Sequence, residues 1–273
     1  MKFLKKALLV LLLVFLLGWI FLTTLIHQAP MGWLVYQAQQ GWISRYLPAQ
    51  TLQQVKQLDA QAFEGHLGRG QARDLQMAGA EVALVKWQLP WWRLALLQPR
   101  LDVQLGEEPL PWQVRLALSP TGSVKLGVEA GSLEVIQGLP VTLQGRLEGQ
   151  LQAQFQVQEG QLQCLEFQGN WQGVIRLKNP MTVDLGRVGL EPACPAVDEL
   201  HWHATSTIAD EHELELEGQV TTERWSFTGE AWVDETAQMA TLLRMLGWRN
   251  QSAAREGESA PGQRLEAKGS GRF

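Results

Sequence analysis

"QLQAQFQVQ", residues 150–158, alternates glutamine with an apolar residue along its whole length, and that alternation decides the fold class. Successive side chains of a strand point to opposite faces. Leu151, Ala153, Phe155 and Val157 therefore share one face, and Gln150, Gln152, Gln154, Gln156 and Gln158 the other. The same period of two recurs upstream in Trp112, Val114, Leu116 and Leu118, then in Val124, Leu126 and Val128; the stretch before Trp112 is mixed, with a strand expected at "EVALVKWQL", 81–89. Glycine-bearing turn signals stand between or near these runs: "SPTG" at 119–122, "QEG" at 158–160, "QGN" at 168–170 and "EG" at 217–218. Short half-buried strands joined by close turns predict an antiparallel meander. Its polar face carries glutamine more than charge.

Away from this pattern the chain reads differently. "MKFLKKALLVLLLVFLLGWIFLTTLIHQ" at 1–28 holds an apolar run from Ala7 to Ile26. As a helix it would span roughly 30 Å, the thickness of a bilayer's hydrocarbon core. The run ends in Thr23, Thr24, Leu25 and Ile26 without a small-residue A-x-A site, so a retained anchor is expected, with cleavage near Ala29 as the alternative. Lys2, Lys5 and Lys6 precede the run and the next basic residue is Arg45, which places the amino terminus in the cytoplasm. "PAQTLQQVKQL" at 48–58 suggests a short helix. "PWWRLALL" at 90–97 is a short helix or a loop, its tryptophans expected to pack in the core beside an exposed Arg93. In "DETAQMATLLRMLG" at 234–247, Met239, Leu242, Leu243 and Leu246 recur at helical spacing, with Asp234 and Thr236 as start signals and Gly247 as the stop.

The fold class is therefore mainly β: an N-terminal transmembrane helix, then an antiparallel β-meander domain with a short amphipathic helix near the C-terminus. The expected divisions are a cytoplasmic tip (1–6), the anchor (7–26), a membrane-proximal linker with a short helix (27–62), one periplasmic β domain (63–248) and a flexible tail (249–273). "RLEAKGSGRF" in that tail is a candidate terminal strand.

Setting aside the three anchor-side lysines leaves 20 basic against 28 acidic residues, a net charge of −8 that disfavours nucleic acid. Cys164 and Cys194 would lie in an oxidising compartment, where a disulfide is expected. His201, His203 and His212 are the most tempting metal ligands. Parity separates them: if Trp202 and Ala204 face the side of Leu214 and Leu216, His212 joins that apolar side while His201 and His203 point the other way. The histidines then read as surface residues flanking a buried Trp202. Carboxylate pairs such as Glu107 with Glu108 are adjacent, point to opposite faces of a strand and cannot share a proton. No catalytic set, metal site or cofactor site is expected, and no enzyme activity.

The arrangement of an N-terminal anchor and an exported β domain containing "FEGHLGRGQARDLQMAGAEVALVKWQL" at 63–89 resembles protein N of the bacterial type II secretion system, the GspN family. Its G-x-L-W-x-G-x-A segment would correspond to Gly65, Leu67, Gly70 and Ala72, followed by Trp87 and Leu89, with Gly68 in place of the family's aromatic. "LALSPTGSVKL" at 116–126, "LEFQGNWQG" at 165–173, "LELEGQV" at 214–220, the strands around Trp225 and Trp232, and "LLRMLG" extend the likeness. The resemblance implies an accessory inner-membrane component of a machine exporting folded proteins across the outer membrane. Its partners would be other inner-membrane and periplasmic parts of that machine, without a cofactor. The alternative is an AsmA-like envelope lipid-handling protein, whose sheet would offer an open hydrophobic groove in place of a closed core.

Overall fold

The computed structural model describes residues 2–40, 62–77, 80–107, 109–137, 142–158, 161–179, 181–196, 199–221, 224–250 and 262–272. Fifteen strands among them form one antiparallel sheet. These are β1 (Phe63–His66), β2 (Arg69–Met77), β3 (Ala80–Gln88), β4 (Arg100–Leu105), β5 (Trp112–Leu118), β6 (Ser123–Glu129), β7 (Ile136–Gln137), β8 (Thr142–Gln158), β9 (Gln161–Asn179), β10 (Val183–Ala196), β11 (Glu199–Ile208), β12 (His212–Val220), β13 (Arg224–Val233), β14 (Arg249–Asn250) and β15 (Gln263–Arg272). Spatial order follows chain order except that β7 pairs with β3 and β15 lies between β13 and β14. The meander is thus the observed topology.

The register keeps the alternating residues on their expected faces. Leu101 lies opposite Leu116, which faces Leu126, then Ala153 and Phe167, giving one apolar row across five strands. The neighbouring row, Arg100, Ala117, Lys125, Gln154 and Glu166, is polar except at Ala117. Two of the expected turns are instead interior strand positions. "QGN" lies within the 19 residues of β9 and "EG" within β12. Gly169, opposite Leu151, has φ 102°, and Gly149 on β8, opposite Trp171, has φ 114°. A side chain on Gly169 would collide with the carbonyl oxygen of Gln150. These glycines let two long strands approach and coil, a use of strand glycine distinct from turning the chain. Gly218 leaves room for the Trp202 ring.

Among the described residues four α-helices accompany the sheet: α1 (Lys2–His27), α2 (Met31–Gln39), α3 (Trp91–Ala95) and α4 (Gln238–Met245). The amphipathic helix is therefore present as α4, with Met239, Ala240, Leu242 and Leu243 buried and Leu246 exposed. It starts later than its signals suggest. Asp234 accepts from the backbone N–H of Thr236 in the preceding turn, while the helix is entered from Ala237 without a side-chain cap. Met239, Leu242 and Leu243 pack on Leu177, Val183, Ala231, Val233 and Leu265, closing one end of the apolar face. A second cluster, Trp112, Leu147 and Ile175, lies beneath the 3-10 turn Leu133–Val135. Its Trp112 and Trp171 rings meet edge-on at 5.0 Å.

Among the described residues no helix is long and apolar enough to cross a membrane. The span expected for 7–26 falls within α1, whose side chains are described from Leu12 onward. Leu12, Val14, Phe15, Leu17 and Phe21 are all exposed there. The helix suggested at 48–58 lies outside the described residues; α2 instead follows α1 after a short turn. In the tail, the candidate terminal strand is β15, which pairs with β13 from Val233↔Gln263 to Arg224↔Arg272. Residues 251–261 lie outside the described set.

Candidate interaction site

The end of α1 is tied to the sheet by backbone. Gly68 N–H donates to the carbonyl of His27 and Leu67 N–H to that of Ala29, both at 2.9 Å, while Leu89 N–H donates to Gly68 O at 2.7 Å. A side chain on Gly68 would strike the His27 ring. Glycine at this position therefore lets the helix end seat directly on the β1–β2 turn. Gly65 has φ 92° opposite Gly70, and Gly70 lies under the Trp87 ring. Trp87 Nε1–H donates to His66 O at 2.9 Å, and Ala72, Trp87 and Leu89 are buried. Gly65, Leu67, Gly68, Gly70, Ala72, Trp87 and Leu89 thus form the packed corner that holds α1 on the sheet.

The three histidines fall as parity requires. His201 and His203 lie opposite Gln219 and Glu217, and His212 opposite Ile208 on the other face. His212 is not a surface residue, however; it is 1% exposed, while Trp202 is only half-buried. Ser206 Oγ donates to Leu185 O at 2.6 Å and lies 3.2 Å from His212 Nε2, so the ring must donate there. Its Nδ1 has no hydrogen-bond partner. Burial holds the His212 pKa below its ordinary value, opposed in part by the Leu185 carbonyl and then by the charges of Glu211 and Asp184. Sequence parity found the face but not the depth, because α4 and its approach, which close over this end of the sheet, come from later in the chain.

On the opposite face His203, Glu215 and Glu217 bring possible ligand atoms within 4.8 Å of one another, and His203 Nε2 sits 2.8 Å from Glu215 Oε1. The carboxylates are exposed, and the cluster is accounted for by the cross-strand hydrogen bond between His203 and Glu215. Asp184, at a bulge in β10, accepts from Gly186 N–H at 2.9 Å and from Arg176 at 3.1 Å; these bonds lower its pKa. Cys164 and Cys194 form a disulfide joining β9 to β10, with Cα atoms 6.2 Å apart.

The expected core packing of the "WW" pair is not found. Trp91 and Trp92 are 45% and 48% exposed, and Arg93 lies 4.7 Å from the Trp92 ring centroid. Two apolar side chains on one turn of a five-residue helix cannot both reach a core that lies on one side of it. Instead α3 leans on α1, where Trp19 Nε1–H donates to Ala95 O at 2.8 Å. No periodicity signals this contact, because it joins residues 76 apart.

A family model for type II secretion system protein N matches residues 56–256. The chain belongs to this family. No curated protein and no solved structure matches it. As a member of the protein N family it is a component associated with type II secretion, an envelope process with which its disulfide is consistent. The matched region runs from just before β1 through β14, so β15, which completes the α4 core cluster, lies beyond it.

Proposed function

We propose that this member of the protein N family is a non-enzymatic, membrane-anchored scaffold of the type II secretion machine, with α1 in the inner membrane, its amino terminus in the cytoplasm and the sheet in the periplasm. The carrying observation is the direct seating of α1 on the β1–β2 turn, which makes helix and sheet one mechanical unit. Apolar side chains around α1 favour hydrocarbon over water. At the far side, among the described residues β15 pairs with β14 only at Glu266 and Leu265, so no described strand covers the outer edge from Ala267 to Gly271, where a partner strand can add. Such addition uses backbone hydrogen bonds and tolerates loose sequence. The partners are other inner-membrane and periplasmic components of the machine. The test places a photo-crosslinking residue at Ser270 in cells secreting through the system; adducts with secretion components support the reading. Adducts with none of them, in cells where the protein is needed for secretion, refute edge docking.

A second reading, lipid handling of the AsmA-like kind, has its own observation. The apolar row Leu101, Leu116, Leu126 and Phe167 is only half-buried, beyond the reach of α4 and of the 3-10 turn. Extraction of the purified full chain would decide it: stoichiometric phospholipid resistant to detergent exchange favours a groove, and its absence favours the scaffold.

A further inference from the structure

Trp91, Trp92, Leu96 and Leu97 crowd large exposed apolar side chains into one turn and its exit, Leu96 at 61% and Leu97 at 58%. Leu97 also has φ 58°, a left-handed backbone that leucine seldom adopts, where the chain leaves α3 through Gln98 N–H to Arg93 O at 2.9 Å. In water that arrangement combines strain with exposure. The surface nevertheless continues into α1, which exposes Leu16, Leu17, Ile20 and Phe21 around the Trp19 contact.

The depth of that contact follows from the sequence. Trp19 precedes Ile26, the end of the apolar run, by two helical turns, which is roughly 10 Å of rise. An indole N–H and a carbonyl at a helix end are both orphans that hydrocarbon penalises. Bonded to each other at 2.8 Å, Trp19 Nε1 and Ala95 O satisfy that demand. Behind α3, on the polar face of the sheet, a cleft of about 360 Å³ is lined by Arg93, Arg100, Arg115 and Lys125 together with Glu166. Arg100 pairs with Asp102 at 2.9 Å, and Arg115 lies 3.9 Å from the same carboxylate and 3.7 Å from Glu129. The cations still outnumber the carboxylate lining the cleft, next to a tryptophan-bearing helix, and that pairing of aromatic and basic side chains suits a phospholipid headgroup layer.

We propose that α3 is a second membrane contact: Trp91, Trp92, Leu96 and Leu97 enter the periplasmic leaflet beside α1, with Arg93 and the basic cleft at the level of the lipid phosphates. The occupant of this surface is the bilayer itself. The proposal rests on the anchor reading above. With two contacts, one along α1 and one at the β3–β4 connection, the sheet is held in one orientation to the membrane.

The test uses the full chain in vesicles of phosphatidylethanolamine with a minority of phosphatidylglycerol. Nitroxide is attached at L96C, W92C, F21C or V174C, the native cysteines being bonded to each other. Each labelled protein is required to keep the parent's disulfide and circular dichroism, and two α3 sites guard against one that fails to fold. Collision with oxygen and with a water-soluble nickel chelate reports depth. Labels at positions 96 and 92 are expected to show an oxygen-to-nickel ratio several-fold above that at 174, approaching that at 21. Nickel-accessible labels at 96 and 92 with an oxygen-accessible label at 21 would overturn the proposal while leaving the anchor standing. A nickel-accessible label at 21 would overturn both. Labels at 96 and 92 shielded from both reagents would overturn it too, by showing a protein partner in place of lipid.

Discussion

Shortening Leu265 to alanine tests whether β15, beyond the family-matched region, is part of the folded core. Leu265 is fully buried, against Ala231 and Val233 from β13 and Met239 and Leu243 from α4. The change removes three carbons at about 0.8 kcal/mol each, or about 2.4 kcal/mol of transfer free energy. The hole adds a cavity cost unless α4 settles into it, so the total should be about 2.5–5 kcal/mol. For a domain of this size each kcal/mol lowers Tm by about 2–4 °C, so the melt should shift down by at least about 5 °C. Near-UV circular dichroism of the full chain in detergent reads the transition, with the exposed Lys268→Ala as a control expected to stay within about 0.5 kcal/mol. If L265A melts with the parent, β15 is not packed under α4, and the edge-docking surface built on it falls as well.

The other expectations follow from single features of the sheet. The Cys164–Cys194 bridge, 30 residues apart in sequence, should contribute about 3.7 kcal/mol in the chain-entropy model; paired denaturant melts of the parent and a C164S/C194S variant check it, and thiol labelling of the unreduced, unfolded parent should find neither cysteine free. His212 is held below its ordinary pKa of 6.5 by burial. The unfolded chain therefore takes up a proton that the folded one resists, and stability is full above pH 6.5 and declines as pH falls below it. Replacing His212 with Gln should flatten the change in Tm between neutral and mildly acidic pH; an unchanged slope would assign that dependence elsewhere. His201→Ala and His203→Ala should leave secretion and protein level intact, since the first loses only a contact with Glu199 at 3.4 Å and the second an exposed pair with Glu215. A histidine variant with normal abundance and no secretion would instead indicate a chemical role.

What the sequence revealed and what it hid divide along a physical line. Period-two alternation is a local signal, so Gln150 to Gln156 and Leu151 to Phe155 fell on the faces where the structure holds them. Parity likewise separated His212 from His203 without any knowledge of neighbours. Glycine was misleading because its local meaning is double. Gly169 and Gly218 resembled turn glycines, whereas the structure uses them for close approach inside strands, against a backbone oxygen and a tryptophan ring. Depth and docking were not local at all. Whether Trp202 or His212 is buried depends on which elements cover that part of the sheet, and whether Trp92 reaches a core depends on α1 lying against α3. The candidate interaction site is built from such long-range contacts, which is why the sequence signalled its residues as aromatic and basic but not as neighbours.

The strand order gives the sheet a physical extent. From β1, where α1 is seated, to β15, the chain passes through twelve neighbour-to-neighbour steps. At about 4.8 Å per strand spacing, that is about 58 Å of sheet contour, shortened end to end by twist. A single continuous antiparallel sheet transmits position across this distance because every strand is hydrogen-bonded to the next, whereas a flexible linker of similar reach would not. The long β8–β9 hairpin and the disulfide between β9 and β10 lie in the middle of that path. They stiffen the stretch where separation of two strands would uncouple β1, on which α1 is seated, from the β15 edge. The disulfide therefore matters for geometry as well as for stability: in the C164S/C194S variant, secretion should decline under conditions where the α4 cluster still melts cooperatively, because the two ends lose their fixed relation before either unfolds.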